Sequence, residues 1–311
     1  MAKPRNKFVD YALYLCVRVF AMFVHMFGRD ANYRTARALG NLFYRLDHRH
    51  RHRGMEHLRR SFPEWSEGRR RRICKASMRS LVYLGLEVLL TTRLITPGRW
   101  QRHISLSEMK DFIRLMTEQK TGVIVVTGHF GNWEVAGYAM ATLGYPCYAI
   151  ARPLDNPYIN EYLLGVRQRR GMIVLDKIGA AGSIQDILAA NGVVAFVADQ
   201  DAGRKGMFVD FFGRPASTYK SIGLMAMQHE VPLAVAYGRR LDEGFRFELG
   251  CERIIRPHEW KDKDDPLRWI TQEYTHALER VVRTAPEQYL WVHRRWKHRP
   301  KGEQRGPDGI A

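Results

Sequence analysis

Cysteine is scarce in this chain of 311 residues. The four cysteines are widely scattered and no Cys-x-x-Cys pair occurs, which argues against both a zinc site and a disulfide framework. This composition is compatible with a reducing cytosol, and neither a metal nor a cofactor is expected. Internal repeats and a Gly/Ser/Pro-rich linker in the middle of the chain are also missing. One large domain with terminal extensions is therefore the simplest division, and the length is sufficient for a full core.

Acidic residues are few relative to basic ones. The chain has 32 Asp and Glu against 50 Lys and Arg, a formal net charge of +18. Such an imbalance indicates anionic partners: nucleic acid, acidic lipid headgroups or an acidic protein. No signature of a nucleic-acid-binding module is present, so no nucleic acid is expected as a partner.

A clean hydrophobic run long enough to span a membrane is lacking too. Residues 8–27 are mostly apolar but include Asp10, Arg18 and His25. A spanning helix needs about 20 predominantly apolar residues, and an arginine near its centre is costly. We expect residues 1–28 to form a membrane-associated helix lying in the interface, with a packing helix of a soluble fold as the alternative. No small-residue cleavage site follows, so no signal peptide is expected. One helical face would carry Tyr11, Tyr14, Arg18 and His25.

The rest of the chain is organised around Thr127–Glu134, with the sequence TGHFGNWE. The β-branched run at 122–126 predicts a buried strand, and the small apolar residues at 135–144 predict a helix. His129 would then lie where the strand ends, at the edge where ligands bind in α/β sheets. Two glycines permit a turn that brings His129 to Glu134 in the first helical turn, as for a base oriented by a carboxylate. A surface pair or a structural histidine is the alternative.

Polar residues also follow two other predicted strands. Residues 146–151 end at Arg152, and residues 193–198 end at Asp199 and Gln200. The carboxyl ends of parallel strands meet at one edge of a sheet, so these residues are expected to converge with His129. Each of them has a structural alternative, since an Asp after a strand is often a helix cap.

Strands alternate with helices along the chain, which predicts an α/β fold with a mixed, largely parallel sheet flanked by helices. The segments at 231–237 and 245–249 are predicted as an antiparallel pair of strands. Ser105–Glu108 has the form of a capping box and predicts a helix over 105–120. Asp265 and Pro266 predict the start of a helix that continues to Thr284.

Several segments carry a family resemblance. The His-x-x-x-x-Glu spacing resembles the acyltransferase box of the glycerolipid acyltransferase superfamily. The longer string Gly128–Glu134 is similar to the bacterial lipid A biosynthesis acyltransferases, the late lauroyl and myristoyl transferases. The similarity covers about residues 40 to 300. The other matching segments, in chain order, are Ala151–Pro153, Ala198–Gln200, Phe211–Gly213 and Pro286–Lys297.

The resemblance implies a membrane-associated acyltransferase with a glycerolipid acyltransferase-like fold at the cytoplasmic face of the bacterial inner membrane. The donor would be acyl carrier protein or, second, acyl-CoA, and the acceptor a hydroxyl of a lipid A precursor or related anionic glycolipid. No Gly-x-Ser-x-Gly elbow is present, so direct transfer without an acyl-enzyme is favoured. The predicted parts are an amino-terminal helix at 1–28, one acyltransferase domain at 29–300 and a disordered tail at 301–311.

The expected mechanism gives each predicted residue a role. His129 would take the hydroxyl proton, while Glu134 would fix the imidazole tautomer and stabilise the imidazolium. Backbone N–H groups of Gly131 and Asn132 are candidate oxyanion donors. The resemblance implies that Arg152 and the Asp199-Gln200 pair help to bind substrates. The basic, aromatic segment near the C-terminus is expected to grip acceptor phosphates through Arg294, Arg295 and Lys297.

Alternatives stay open for the acceptor, for the class of protein and for one loop. The acceptor could be another glycolipid, such as a mannosylated phosphoinositide, or an aminolipid. The chain could instead be a non-catalytic basic protein that binds membranes or nucleic acid. The intact His129/Glu134 pair argues against that last possibility. The loop with Arg204, Lys205 and three phenylalanines could either close over an acyl chain or pack into the core.

Overall fold

The computed structural model describes residues 6–176 and 179–302. Its long helices and its strands follow one another in an α/β order. The helices are α1 Lys7–Met26, α2 Arg29–Leu46, α3 His48–Ser61, α4 Glu67–Leu94, α5 Lys110–Glu118, α6 Trp133–Thr142, α7 Pro157–Gln168, α8 Ala180–Ala189, α9 Lys220–Gln228, α10 Pro257–Trp260 and α11 Pro266–Thr284. The strands are β1 Ile104–Ser107, β2 Val123–Thr127, β3 Tyr148–Ala151, β4 Ile173–Asp176, β5 Val193–Val197, β6 Met207–Asp210, β7 Pro215–Thr218, β8 Leu233–Arg240 and β9 Phe247–Ile255.

Seven strands form one mixed sheet in the order β1-β9-β8-β2-β5-β3-β4. All neighbours in it are parallel except β8 and β9, which are antiparallel. The predicted fold class is therefore confirmed, as is the predicted antiparallel pair. Strands β6 and β7 form a separate antiparallel hairpin.

Helices cover both faces of the sheet. In β2, Ile124 and Val126 point into a core shared with α9 and α11, whereas Val123 packs with α5. This alternation follows from the two-residue period of a strand. A further buried cluster joins α2, α4, α6 and β9. Both faces of β2 are thus buried, which accounts for its continuous run of β-branched residues.

A buried ionic network ties four elements together beneath the site. Glu87 of α4 is fully buried, and its carboxylate accepts from Arg240 of β8 at 2.5 and 2.8 Å. It also accepts from the side-chain amide of Asn132 at 2.7 Å and from the hydroxyl of Tyr33 at 3.0 Å. Because removal of one partner would leave a buried charge uncompensated, this network fixes the start of α6 against α4 and β8.

The predicted helix over 105–120 is wrong at its start. Residues 104–107 form strand β1, in which Ser105 pairs with Glu248 of β9. Glu108 has φ +51°, a left-handed conformation that a helix excludes, and α5 begins only at Lys110. Sheet pairing overrides the capping-box pattern at this point. The predicted helix from Pro266 to Thr284 is confirmed, with Asp265 as its N-cap.

Within the described part of the chain, one helix, α1, is long and apolar enough to cross a membrane. Most of its surface is exposed, and Ala21 and Val24 are its buried apolar residues. It packs on α4 and α7. Of the predicted tail, residues 303–311 lie outside the described residues.

Candidate active site

The turn between β2 and α6 carries His129. The side chain of Asn132 accepts from the backbone N–H of Val135 at 3.0 Å and so begins α6. The backbone turns at Gly131 with φ +57°, and a Cβ there would lie 1.9 Å from the carbonyl oxygen of Gly238. Only glycine fits this position, which explains how so short a turn can deliver His129 to the sheet edge.

Asp199 orients the His129 ring. Nδ1 of His129 is 2.7 Å from Oδ1 of Asp199, and the backbone N–H of His129 donates to Oδ2 at 2.8 Å. Asp199 follows β5, which pairs with β2, so adjacent strand ends bring the two residues together as predicted. The predicted contact of Asp199 with substrate is wrong, because its carboxylate is buried and both oxygens face His129. Burial raises the pKa of Asp199, but the facing His129 more than offsets this and lowers the pKa to about 2. The ionised carboxylate accepts Nδ1–H, so the lone pair of the His129 ring lies on Nε2, which can act as a base.

Glu134 lies in the first turn of α6, as predicted, but its carboxylate faces a different partner. Nε of Arg167, from α7, donates to Oε2 of Glu134 at 2.7 Å, and Nη2 of the same residue donates to Oε1. Both side chains are largely buried, with Glu134 13 % and Arg167 19 % exposed. The prediction that Glu134 orients the His129 ring is therefore wrong, because the bidentate arginine engages both carboxylate oxygens.

One cleft of about 580 Å³ joins these groups. Its polar wall holds His129, Glu134, Arg167 and Gln200. Nε2 of Gln200 lies 3.2 Å from Nε2 of His129, so the base faces the cleft. The rest of the lining is mostly apolar and includes Ile150, Met172, Val174, Ile184, Ile222 and Met225. This combination suits a ligand with an apolar chain and one reactive polar group.

A second, apolar cavity of about 90 Å³ adjoins the cleft beneath α6. The two spaces share the wall residues Thr127, Trp133, Gly137, Cys147 and Ala195. The far end of the cavity is formed by Met109, Phe112, Met116 and Met140. The apolar part of the site therefore continues into the core between α5, α6 and the sheet.

Sequence reasoning missed His293 and Arg167 as site residues. The ring centroid of His293 is 4.5 Å from that of His129. Burial, together with the nearby His129, lowers the pKa of His293 to about 4, so its ring is neutral near pH 7. His293 belongs to a basic, aromatic run in which nothing distinguishes it from its neighbours. Arg167 lies on a helix 33 residues from Glu134, and the sequence gives no signal for that pairing.

The two predicted oxyanion donors are already engaged. The backbone N–H of Gly131 donates to the carbonyl of Gln288 at 3.0 Å, and that of Asn132 donates to the carbonyl of Gly238 at 2.8 Å. These bonds hold the turn in place and leave neither N–H free for a substrate. This part of the prediction is therefore corrected.

Arg295 was predicted to bind substrate, but it is 2 % exposed. Its guanidinium donates to the carbonyls of Gln200 at 3.1 Å and Ser217 at 2.5 Å, and to Oγ1 of Thr218 at 2.6 Å. Arg295 therefore secures the segment that carries Gln200 from behind. The prediction of direct substrate contact is wrong, since the side chain is enclosed by these acceptors.

The remaining predicted cations lie at the surface. Arg152 lines the cleft, yet its side chain is 80 % exposed and lies 3.4 Å from Asp155. Arg294 and Lys297 are also exposed. In the loop after β5, Arg204 and Lys205 are exposed as well. The nearby phenylalanines at 211 and 212 are buried, so the packing alternative describes them.

A family model described as bacterial lipid A biosynthesis acyltransferase matches residues 2–298. The chain belongs to the bacterial lipid A biosynthesis acyltransferase family. It is thus an acyltransferase, and the suspected resemblance is confirmed. It is 29 % identical over 276 residues to the lipid A biosynthesis lauroyltransferase of Escherichia coli K12, covering 87 % of this chain and 86 % of the relative. It is 30 % identical over 253 residues to the lipid A biosynthesis palmitoleoyltransferase of the same strain, covering 80 % and 79 %.

The chain also matches, over a shorter segment, the phosphatidylinositol mannoside acyltransferase of Mycobacterium tuberculosis H37Rv. The match is 29 % identical over 98 residues, which covers 30 % of this chain and 31 % of the relative. The lipid A acyltransferases thus match along most of their length, whereas this relative matches over one segment.

Proposed function

We propose that this acyltransferase moves a fatty acyl chain from the thioester of acyl carrier protein, or of coenzyme A, to a hydroxyl of a lipid A precursor or related glycolipid. The observation that carries the mechanism is His129, whose Nδ1 meets the buried Asp199 and whose Nε2 faces the cleft. The near full-length match to two lipid A acyltransferases supports this acceptor class. The match to the phosphatidylinositol mannoside acyltransferase favours a different glycolipid as acceptor, but it covers only 30 % of the chain.

The transfer needs one base and no covalent enzyme intermediate. Nε2 of His129 takes the proton of the acceptor hydroxyl as its oxygen attacks the thioester carbonyl carbon. The carbonyl π pair moves to oxygen and gives a tetrahedral oxyanion. When this collapses, the C–S bond breaks, the new ester forms and the sulfur takes the proton from the imidazolium. Asp199 holds the ring in the required tautomer throughout.

The oxyanion requires donors other than the two engaged backbone amides. The side-chain amide nitrogen of Gln200 lies 3.2 Å from Nε2 of His129. Unlike a backbone amide it carries two N–H donors, and at most one of them can point at the His129 lone pair. The His293 ring lies beside His129 and is neutral, so one of its nitrogens carries a proton to donate. We assign the oxyanion role to these two side chains.

Glu134 has an electrostatic role in this proposal. Its carboxylate is fixed by Arg167 on the wall of the cleft that also holds His129. Arg167 carries the opposite charge, so the pair presents a fixed dipole and not a net charge. In this proposal the carboxylate end of that dipole favours the imidazolium that forms, without reorganisation at that moment. The predicted stabilisation by Glu134 is thus kept, while orientation of the ring passes to Asp199.

The membrane proposal rests on α1 and on charge. The helix exposes large apolar side chains, and the chain carries a net charge of +18. We propose that α1 attaches the enzyme to the cytoplasmic face of the bacterial inner membrane, where an acidic carrier protein and an anionic glycolipid both meet a basic surface.

The test is acyl transfer by His129→Ala, with lauroyl-acyl carrier protein, lauroyl-CoA and a phosphorylated lipid A precursor in detergent. We expect loss of turnover by at least about 100-fold with unchanged melting temperature. The matched control is the exposed His258→Gln, which should retain turnover. Near-normal turnover by a folded His129→Ala enzyme contradicts the mechanism, and product from neither donor contradicts the proposed donor class.

A further inference from the structure

A groove of about 770 Å³ lies between α1, α4 and α7, away from the cleft. None of the residues that line it also lines the cleft. Helix α7 separates the two spaces, with Arg167 facing the cleft and Arg169 facing the groove. The mechanism proposed above uses no residue of this α1–α7 groove.

The groove is built around an arginine on an otherwise apolar helix. The guanidinium of Arg18 lies 5.8 Å from the ring centroid of Tyr14 and 5.4 Å from that of Tyr162. Its Nη1 donates to the Tyr14 hydroxyl at 2.8 Å. Among the described residues, no carboxylate forms an ion pair with Arg18. Aromatic contacts therefore fix this cation, while most of its five N–H donors stay available.

The lining of the groove is cationic. Arg18 and Arg169 face a single carboxylate, that of Glu161, and His25 adds a titratable ring. Arg169 is exposed at the C-cap of α7 and, within the described part of the chain, has no ion-pair partner. Two guanidinium groups, which stay charged at any physiological pH, against one carboxylate favour an anionic ligand, and a phosphate matches guanidinium donors in geometry.

An apolar surface begins at the edge of the groove. Met22 lines the groove and is 51 % exposed, and Phe20 and Phe23 beside it are 48 % and 46 % exposed. Contact of this apolar face with acyl chains is more favourable than its contact with water. Headgroup-sized space, cationic donors and an apolar flank together describe a ligand with a phosphate and hydrocarbon chains.

We propose that the α1–α7 groove binds the phosphate of an anionic membrane glycerophospholipid, with the acyl chains along the exposed face of α1. Arg18 and Arg169 hold the phosphate, and the tyrosine hydroxyls donate to its remaining oxygens. The site is separate from the donor and acceptor sites of the cleft. It gives α1 a specific lipid contact in addition to general attraction to the bilayer.

The test is native mass spectrometry of the full chain in detergent during titration with phosphatidylglycerol or phosphatidylcholine. We expect one saturable phosphatidylglycerol molecule per chain and weaker binding of phosphatidylcholine. Arg18→Gln with Arg169→Gln should weaken phosphatidylglycerol binding at least about tenfold, since charge-assisted hydrogen bonds are lost. The charge-matched control is Lys110→Gln with Arg268→Gln, two exposed cations on α5 and α11, which should bind as the parent does.

A second variant keeps both arginines and fills the space. Gly165 lines the groove, and a Cβ there meets no atom within 4 Å, so Gly165→Trp is compatible with α7. It should abolish the saturable phosphatidylglycerol site, whereas Gly182→Trp on α8, also in open space, should not. Equal binding of both lipids by the parent, or unchanged binding by Gly165→Trp, overturns the proposal. Because acyl transfer is not the readout, failure here leaves the catalytic proposal to its own test.

Discussion

His129 and Asp199 are 70 residues apart in the chain and 2.7 Å apart in the fold. The sequence predicts that both follow strands, and the neighbouring positions of β2 and β5 then bring them together. Their direct contact was not predicted, because Glu134 lies much closer in sequence and the family motif links it to His129. The pairing of Glu134 with Arg167 depends on how α7 packs, which no local pattern encodes.

The left-handed conformation of Gly131 allows a prediction about a single residue. Gly131→Ala places a Cβ 1.9 Å from the carbonyl oxygen of Gly238 and keeps φ at +57°, so the turn must open. We expect destabilisation of at least about 1–3 kcal/mol from backbone strain alone, with greater loss of acyl transfer. Thermal melts and turnover measure the two effects. Gly98→Ala, where a Cβ meets no atom within 4 Å, is the control, and a parent-like Gly131→Ala enzyme would show that the turn is not constrained.

At the scale of elements, strands were more predictable than the contacts between helices. Residues 122–126 and 193–198 were predicted as strands, and β2 and β5 occupy 123–127 and 193–197. Strong β-branched runs buried on both faces explain this agreement. The capping-box pattern at 105–108 failed because pairing of β1 with β9 decides the structure there. Arg295 was predicted to grip acceptor phosphates because the hairpin that encloses its side chain was not predicted.

The position of α6 between the cleft and the apolar cavity predicts which residue controls the preferred acyl-chain length. Gly137 lines both the cleft and the apolar cavity beneath it, and a Cβ there would meet the flexible end of Met172 at 2.7 Å. Gly137→Val should narrow the passage and favour shorter acyl chains. Each methylene excluded from the cavity is worth about 0.8 kcal/mol, or about fourfold in kcat/KM.

This prediction is measured with a series of acyl donors that differ only in chain length. Gly85→Val on α4, where a Cβ meets no atom within 4 Å, is the control and should leave the preferred length unchanged. An unchanged preference in Gly137→Val would show that the acyl chain takes another path.

For the molecule as a whole, burial of histidines makes stability depend on pH. Burial lowers the pKa of His103, and it lowers the pKa values of two further histidines for which the size of the shift is known. Burial lowers the pKa of His57 from 6.5 to about 3 and that of His293 from 6.5 to about 4. In both cases the folded state disfavours protonation. Below about pH 6.5, the unfolded chain takes up protons that the folded chain does not, so stability falls.

We therefore expect the free energy of unfolding to decrease between pH 6.5 and pH 4 by up to about 2.7 kcal/mol per pH unit, two protons' worth. Asp199 contributes in the same sense at lower pH, between about pH 4 and pH 2, because there its carboxylate takes up a proton on unfolding that it does not hold when folded. Denaturant unfolding at several pH values measures the slope. His57→Gln should reduce this slope by one proton's worth, about 1.4 kcal/mol per pH unit, and the exposed His258→Gln should leave it unchanged. A flat profile would contradict neutral burial of these rings.

In the proposed mechanism Asp199, and not Glu134, holds His129 as the base. The most direct measurement is the turnover of Asp199→Asn and of Glu134→Gln with the same donor and acceptor. We predict that Asp199→Asn lowers kcat by about 100-fold or more with little change in KM, because the amide favours the wrong imidazole tautomer. We predict a smaller loss for Glu134→Gln, which removes charge but leaves His129 oriented. Near-parent turnover by a folded Asp199→Asn enzyme would contradict this account.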